Sequence, residues 1–380
     1  MKKTLVALAA LASVTAFAQS SVTLSGNMDA GYQSINYKGG KSAGITNNGS
    51  STSTLGFSGE EDLGAGMAAI FKLNTDYNVT STQADGGSTG TASVISSSTN
   101  SVVGTAGTWL NSEKFIGLKG GFGQIMAGTI NTLSLGAAGT GTAFGTAVGS
   151  GYRTIYTSDA LTTPGSSPAR YDNSLQYNTP SMNGFSGNVY WVGKNVNATA
   201  TTFSTTYGTY DTTGVQAYRL NYNQGPINAN YSKQTEDAAG TNATVALRAT
   251  LTTLAANYTM GAFTGYFIDQ KALSSDSTLN RKSSFVGVKY VSGPIALMYQ
   301  TGTAKLTASP FTSTSTYQVE GSQSKIAGMG ADYSMSKRTT AYVRAERITD
   351  AAGMASARAT IDTSTSNAIT RTAIGVRHSF

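Results

Sequence analysis

NAITRTAIGVRHSF, residues 367–380, is the stretch of sequence that decides the fold. Alternate residues fall on two faces: Thr372, Ile374, Val376 and Phe380 on one, and Arg371, Ala373, Gly375, Arg377 and Ser379 on the other. The first face is mostly apolar and the second is polar or small, which predicts a β-strand. A strand edge carries unpaired N–H and C=O groups, which are costly to leave in hydrocarbon. We therefore expect this strand to pair with the first strand of the mature chain and to close a barrel.

The composition favours a single barrel. The 380 residues include 44 glycines, 20 tyrosines and only 6 prolines, 12% of them are charged, and the mean hydropathy is −0.15. Such a chain is too polar for helical membrane spans, while its polar residues alone would suggest disorder if aromatic residues were not spaced along it. A barrel with an apolar outer face and a polar lumen accounts for both properties.

The residue types also exclude several kinds of chemistry. There is no cysteine, so thiolate metal sites and cysteine nucleophiles are absent, and His378 is the only histidine. The sequence GGSTG at 86–90 matches the G-x-S-x-G pattern, but that pattern needs a strand before it, a helix after it and a histidine partner. We expect no enzyme activity, no cofactor and no metal. The formal charge is +7, but the basic residues are scattered singly, so nucleic-acid binding is not expected either.

The first 18 residues have the three consecutive regions of a secretory signal peptide. Lys2 and Lys3 supply the positive charge, residues 5–14 are apolar, and Ala-Phe-Ala at 16–18 is a small-x-small cleavage sequence. The apolar run is shorter than the ~20 residues that a spanning helix needs. We predict that residues 1–18 are a signal peptide and that residues 19–380 form one transmembrane β-barrel domain.

Segments of alternating polarity recur along the rest of the chain. The first, Ser20 to Tyr37, is long enough for the ~9 to 11 residues of a tilted membrane strand. Short turns alternate with long polar loops, which is typical of outer-membrane barrels with periplasmic turns and outer loops. The count is about sixteen antiparallel strands, enough to enclose an aqueous channel. We expect a loop at about 38–50, a tight turn at 60–64 and a long outer loop at 78–108.

Aromatic residues near the strand ends are expected to form the interfacial girdles of the barrel. They are Tyr177, Tyr190, Trp191, Tyr222, Tyr231, Tyr258, Tyr290 and Tyr299. The alternative is that they are ordinary strand aromatics of a soluble β-protein.

The longest connection, residues 131–170, avoids charge over much of its length. Residues 135–151 are mainly glycine, alanine and threonine, with Phe144 and Val148 among them. A loop of this composition is unusual on an outer surface. We predict that this third outer loop folds inward and constricts the pore.

Five segments in order resemble one protein family: SSVTLSGNMDAG, LGFSGEEDLGAGMAAIFKL, FIGLKGGFG, RYDNSLQYNTPSMNGF and GVRHSF. They are similar to the Gram-negative general porins of β-proteobacteria, found in Neisseria, Bordetella, Burkholderia and Comamonas, and the similarity spans the mature chain. It implies an outer-membrane barrel, usually a homotrimer, in which the third outer loop forms an eyelet. It also implies a water-filled channel for passive diffusion of ions and small hydrophilic solutes.

The resemblance also suggests partners. Phe380 looks like the terminal aromatic residue that the barrel assembly machinery recognises. Outer-membrane lipids and lipopolysaccharide are the other expected partners.

Charged residues of the lumen are the candidate selectivity site. The predicted cations are Arg170, Arg153, Lys72, Arg219, Arg344 and Arg371, and the predicted acids are Asp29, Asp76 and Glu346. Two positions that often hold arginine in the family hold Thr54 and Thr129 here, which implies a weaker positive field. We expect a weak anion preference, stronger at low salt. Arg170 fits either the constriction or the rim.

Two other functions stay open. A substrate-specific porin would show saturable block of the ion current by its solute. A structural or adhesive barrel with a plugged lumen would show no conductance.

Overall fold

A closed antiparallel barrel is the architecture of the computed structural model. The structure describes residues 21–37, 40–80, 110–152, 156, 169–193, 214–237, 248–275, 280–308, 323–350 and 368–380. No helix within these ranges combines the length and apolarity of a membrane-spanning segment.

The described part of the chain contains seventeen β-strands and one helix, α1. In chain order they are β1 (Ser21–Tyr37), β2 (Gly40–Asn47), β3 (Thr54–Gly64), β4 (Met67–Asp76), β5 (Lys114–Gly120), β6 (Gly123–Asn131), α1 (Leu133–Thr140), β7 (Arg170–Asn178), β8 (Phe185–Val192), β9 (Gly214–Gln224), β10 (Ile227–Asp237), β11 (Arg248–Met260), β12 (Phe263–Ser274), β13 (Asn280–Ser292), β14 (Ile295–Ala308), β15 (Gln323–Ser334), β16 (Thr339–Asp350) and β17 (Ala368–Ser379).

The first strand closes the barrel. On one side β1 pairs antiparallel with β17, from Asn27 opposite Ser379 to Asn36 opposite Thr370. On its other side the second half of β1 pairs with β2 and the first half with β3, so β2 and β3 together fill one barrel position. Because β2 and β3 share one position, the seventeen strands occupy sixteen positions around the barrel. The predicted barrel of about sixteen strands, closed by its first and last strands, is confirmed.

The predicted loop at 38–50 is wrong over residues 40–47, which form β2. The interruption lies instead between β2 and β3, and the carboxylate of Asp29 holds it in place. Asp29 Oδ2 accepts the backbone N–H groups of Ser50 and Ser51, both at 2.7 Å. Asp29 Oδ1 accepts the hydroxyl of Tyr342 at 2.6 Å across the lumen side of the sheet. A buried acid therefore replaces the missing strand hydrogen bonds.

The tight turn predicted at 60–64 is also displaced. β3 continues through the acidic residues to Gly64, and the chain reverses at Ala65 and Gly66. Gly64, Ala65 and Gly66 have φ angles of 78°, 51° and 76°, a left-handed conformation that glycine adopts without strain. The three consecutive acidic residues before the turn suggested a loop by composition, although they pair in register with Ile70, Ala69 and Ala68 of β4.

The two faces of the barrel differ as the alternation predicts. Val22, Leu220 and Leu297 are at least half exposed on the outer face. Tyr190 is a wrong girdle assignment, because it is 1% exposed and its hydroxyl donates to the carbonyl oxygen of Ile130 at 3.1 Å. Its neighbour Trp191 is 50% exposed and takes the outer position, since adjacent residues of a strand point to opposite faces.

Candidate functional site

Helix α1 lies against the inner face of the barrel. Thr132 caps its N-terminus by accepting the N–H of Leu135 at 3.3 Å. At the other end, Asn257 donates to the carbonyl oxygen of Thr140 at 2.8 Å, and Asn230 donates to the Thr140 hydroxyl at 2.7 Å. Both asparagines are inward-facing residues of the wall, on β11 and β10. The small glycine, alanine, serine and threonine residues of α1 allow the helix to lie close to the wall.

The chain after α1 continues along the inner face toward β14 and β16. Thr142 Oγ1 donates to Gln300 Oε1 at 3.0 Å, and the N–H of Gly149 donates to Glu346 Oε2 at 2.8 Å. Gln300 Nε2 also donates to the carbonyl oxygen of Gly149. At Gly328 an added Cβ would lie 2.1 Å from that same carbonyl oxygen, so the loop and the wall meet there without room for a side chain.

Two candidate cations lie near the outer-loop end of β4 and pair with acids. Arg170 is 3.4 Å from the carboxylate of Asp76 and donates from Nε to Asn131 Oδ1 at 3.2 Å. Lys72 is 2.7 Å from Glu113. Each of these positive charges is therefore matched by a negative charge within contact distance.

Two further candidate cations, on β16 and β17, are paired in the same way. Arg344 is 2.6 Å from Asp332, and its side chain is only 4% exposed between the rings of Phe144 and Tyr342. Arg371 Nε donates to Glu346 at 2.6 Å, and its Nη2 contacts the same carboxylate oxygen. Because Glu346 also accepts the Gly149 N–H, this pair joins the loop to the wall.

Arg219 differs from these four. It donates to Asn188 Oδ1 at 3.0 Å and to the carbonyl oxygen of Leu133 at 3.4 Å. An added Cβ at Gly136 would lie 2.2 Å from its guanidinium, so Arg219 sits directly beneath α1. Among the ion pairs found within the described ranges, none includes Arg219.

A cavity of about 410 Å³ opens beside Arg219, between α1 and the wall. Its charged lining is Lys72, Glu113 and Arg219, and Gln176 and Asn178 add polar groups. The remaining lining includes the apolar side chains of Phe115, Met126, Ile130, Leu133 and Leu135. Within the described part of the chain, the cavity therefore offers one cation outside any ion pair, Arg219, next to an apolar surface.

The structure thus brings Arg170 to Asp76 and Arg371 to Glu346, and places Lys72, Arg219 and Arg344 on the same inner face. Arg153 lies outside the described residues. The sequence interpretation missed Glu113 and Asp332, the partners of Lys72 and Arg344. Asp332 could have been predicted, because it lies an even number of residues from the inward-facing Ile326 and Gly328 on the same strand. Glu113 precedes its strand, so alternation does not assign it to a face.

Phe380 lies away from this site, at the seam where the barrel closes. Its backbone N–H and C=O groups both bond to Gly26, and its side chain is 37% exposed.

A closed barrel of sixteen antiparallel strands, apolar outside and charged inside, with a loop along its inner wall, defines a membrane channel of the porin class. The model of the Gram-negative porin family matches residues 4–353, and the chain belongs to that family. It is an outer-membrane porin.

Similar proteins agree with this assignment. The major outer membrane protein P.IB of Neisseria lactamica is 27% identical over 401 residues, covering 100% of both chains. The anion-selective porin from Comamonas acidovorans has a TM-score of 0.71 at 21% identity, over 95% of this chain and 100% of that one. OmpT of Vibrio cholerae, solved in a trimer form, has a TM-score of 0.61 at 12% identity, over 95% and 99%. At these identities the solved structures support the fold.

Proposed function

We propose that this porin is a homotrimeric channel with a weak preference for anions, through which ions and small hydrophilic solutes diffuse passively. The observation that carries the proposal is the pairing of charges on the inner face. Four candidate cations lie within contact distance of acids, and a compact ion pair has little net field at a distance. Arg219, beneath α1, is the candidate cation that no ion pair within the described ranges includes, and it is the charge to which we assign the preference.

Two relatives support the finer points. The Comamonas acidovorans protein is described as anion-selective, and the Vibrio cholerae protein was obtained as a trimer. The inner-face loop at residues 133–150 supports a constriction, because a narrow passage brings permeating ions closer to the charged wall.

The test is the reversal potential of the purified protein in a planar bilayer across a KCl gradient. We expect weak anion preference in the wild type and loss of most of that preference in Arg219→Gln. The matched control is the double variant Arg170→Gln and Asp76→Asn, which removes a neutral pair. It should leave the reversal potential nearly unchanged. Clear cation preference in the wild type, or an unaltered potential in Arg219→Gln, would contradict the proposal.

Conductance tests the assembly as well. Stepwise conductance in groups of three is expected of an open trimer. Folded, heat-modifiable protein without conductance would favour the plugged structural barrel instead.

The cavity beside Arg219 favours a second candidate, a channel specific for small organic anions. Its volume of about 410 Å³ lies within the range of small-molecule sites, and it joins a cation to apolar side chains. A specific channel would show saturable block of the KCl current by an aromatic carboxylate such as benzoate. Weaker block in Arg219→Gln would assign the site, whereas block linear in concentration would favour general diffusion.

We also propose that residues 1–18 are removed on export and that the barrel assembly machinery recognises Phe380. The charged start, apolar run and Ala-Phe-Ala sequence support the first point, and the part-exposed ring at the barrel seam supports the second. N-terminal sequencing of the mature protein should begin at Gln19. Any other first residue would place the cleavage site elsewhere.

A further inference from the structure

A network of amide side chains runs along the inner wall from β9 to β7, and Arg219 lies at its β9 end. Arg219 Nε donates to Asn188 Oδ1 at 3.0 Å. Asn188 Nδ2 donates in turn to Asn178 Oδ1 at 2.6 Å, and Gln176 Nε2 donates to the same oxygen at 2.7 Å. Continuous hydrogen bonding therefore links the guanidinium of Arg219 to the amide of Gln176.

The direction of each hydrogen bond in this network follows from Arg219. A guanidinium can only donate, so Asn188 must turn its oxygen toward Arg219 and its NH2 group toward Asn178. Asn178 therefore accepts, and Gln176 must present its own NH2 group to it. A flipped Gln176 amide would place its oxygen against the oxygen of Asn178. Gln176 Oε1 is thus fixed on the side of the amide that faces away from Asn178.

This oxygen is left without a donor. Gln176 is 8% exposed, and its Oε1 is buried and has no hydrogen-bond partner in the described part of the chain. A buried acceptor without a partner carries a desolvation cost, which a single donor removes. Gln176 also lines the cavity of about 410 Å³, together with Asn178 and Arg219. A ligand that brings a hydrogen-bond donor into this cavity would complete the network.

The Arg219 end of the network offers donors. A guanidinium has five N–H donors, and the contacts of Arg219 with Asn188 and with the carbonyl oxygen of Leu133 use two of them. The remaining N–H groups suit a carboxylate, which accepts two parallel hydrogen bonds from one guanidinium. The other cation of the cavity, Lys72, lies 2.7 Å from Glu113. Arg219 is therefore the group to which a ligand carboxylate would bind.

The strand register sets the distance between the two ends of the network. Arg219 faces Asn188 and Asn188 faces Asn178, so Arg219 lies two strands from Gln176 and two residues closer to the turn end. With strands ~4.8 Å apart and a rise of ~3.4 Å per residue, the two Cα atoms are roughly 12 Å apart. Both side chains extend from the wall and line the cavity, so the gap between their polar groups is shorter and suits a ligand with one ring.

We propose that the cavity binds an aromatic carboxylate that also carries a hydroxyl group, with the carboxylate on Arg219 and the hydroxyl donating to Gln176 Oε1. A hydroxyl is favoured over an ammonium group, because the acceptor is a neutral amide and the acid that lines the cavity, Glu113, is already bound to Lys72. The ring lies against the apolar lining, which consists of Phe115, Met126, Ile130, Leu133 and Leu135. This inference rests on the organic-anion function proposed above for the cavity, and it names the class of substrate that the cavity selects.

The experiment compares 4-hydroxybenzoate with benzoate and 4-methoxybenzoate. Benzoate lacks the hydroxyl, and 4-methoxybenzoate keeps the oxygen but has no proton to donate. Dissociation constants are measured by calorimetry on the refolded full-length porin in neutral detergent, and block of the KCl current is recorded in a planar bilayer. Because the hydroxyl satisfies a buried acceptor, 4-hydroxybenzoate should bind the wild type roughly five- to tenfold more tightly than either analogue.

Two glutamine variants assign the hydroxyl contact. Gln176→Leu removes the acceptor and keeps a side chain of similar size, so it should abolish the preference for 4-hydroxybenzoate and leave benzoate binding unchanged. The matched control is Gln216→Leu, which removes an exposed glutamine from the outer face of β9, opposite Trp191, and should keep the preference. If Gln176→Leu refolds poorly, Gln176→Met removes the same acceptor with an unbranched side chain. Arg219→Gln should weaken the binding of all three ligands.

The outcomes separate this inference from the functions on which it rests. Equal affinities of the wild type for the three ligands would overturn it, and their common loss in Arg219→Gln would still leave the cavity as an organic-anion site. A preference for 4-hydroxybenzoate that persists in Gln176→Leu would overturn it too, because the hydroxyl would then bind elsewhere. Absence of saturable binding by all three ligands would overturn both the inference and the proposed cavity function. The reversal potential in KCl tests the general anion preference independently of these ligands.

Discussion

Gly26 and Phe380 exchange both of their backbone hydrogen bonds: each N–H donates to the other's carbonyl oxygen at 3.0 Å. This pair extends the β1–β17 ladder to the turn end of the barrel. A Cβ added to Gly26 would lie 2.3 Å from Phe380 Cζ, so the aromatic ring occupies the space above the glycine. The seam of the barrel is therefore closed by side-chain packing as well as by strand hydrogen bonds.

Replacing Gly26 should open this seam. We expect Gly26→Leu to displace the ring of Phe380 and to lower the free energy of unfolding by about 1–3 kcal/mol, the usual cost of overpacking. The control is Gly44→Leu on β2, where an added Cβ meets nothing within 4 Å. Urea unfolding of protein refolded in detergent, followed on gels by heat-modifiable mobility, measures both. Equal midpoints for the two variants would show that the contact has no energetic weight.

Phe380 should matter more for assembly in cells than for stability in detergent. The hydrogen bonds of Phe380 to Gly26 come from its backbone, and its side chain is 37% exposed, so Phe380→Ala leaves the β1–β17 ladder in place. If the assembly machinery reads this residue, the amount of folded porin in the outer membrane should fall several-fold while refolding in vitro stays efficient. Phe122→Ala, at a turn and 45% exposed, is the control. If Phe380→Ala lowered both the amount of folded porin in the outer membrane and the yield of refolding in vitro, Phe380 would act through stability and not through recognition.

The strands could be predicted from sequence because period-two alternation is a local property. Arg219 and Arg371 were placed on the inner face for that reason. What alternation cannot show is which residues lie near each other across strands, so the Arg344–Asp332 ion pair could not be predicted from it.

Elements without alternation were predicted less well. The interruption between β2 and β3 depends on Asp29, which is distant in sequence and binds Ser50 and Ser51 through its carboxylate. The composition of residues 38–50 is typical of a loop, and no local sequence pattern reveals the long-range contact with Asp29.

Neutralising Asp76 should release the charge of Arg170. In the wild type the two lie 3.4 Å apart, and Arg170 is also held by the Asn131 side chain, so it should remain in place in Asp76→Asn. We expect the ratio of anion to cation permeability to rise by roughly twofold at low salt and less at high salt. Asp269→Asn makes the same change of charge on the outer face and serves as the control. Reversal potentials that move equally in both variants would place Arg170 away from the ion path.

The contact between Gly149 and Gly328 should control how firmly the loop is held to the wall. A side chain at residue 328 meets the Gly149 carbonyl oxygen at 2.1 Å, and that segment is also held by Glu346 and Gln300. We expect Gly328→Val to push the loop into the lumen, which lowers single-channel conductance and increases its fluctuations. Gly265→Val is the control, because its Cβ meets nothing within 4 Å. If Gly328→Val refolds poorly, Gly328→Ala introduces the same clash with less bulk. Wild-type conductance and noise in a folded Gly328 variant would mean that this part of the loop does not border the ion path.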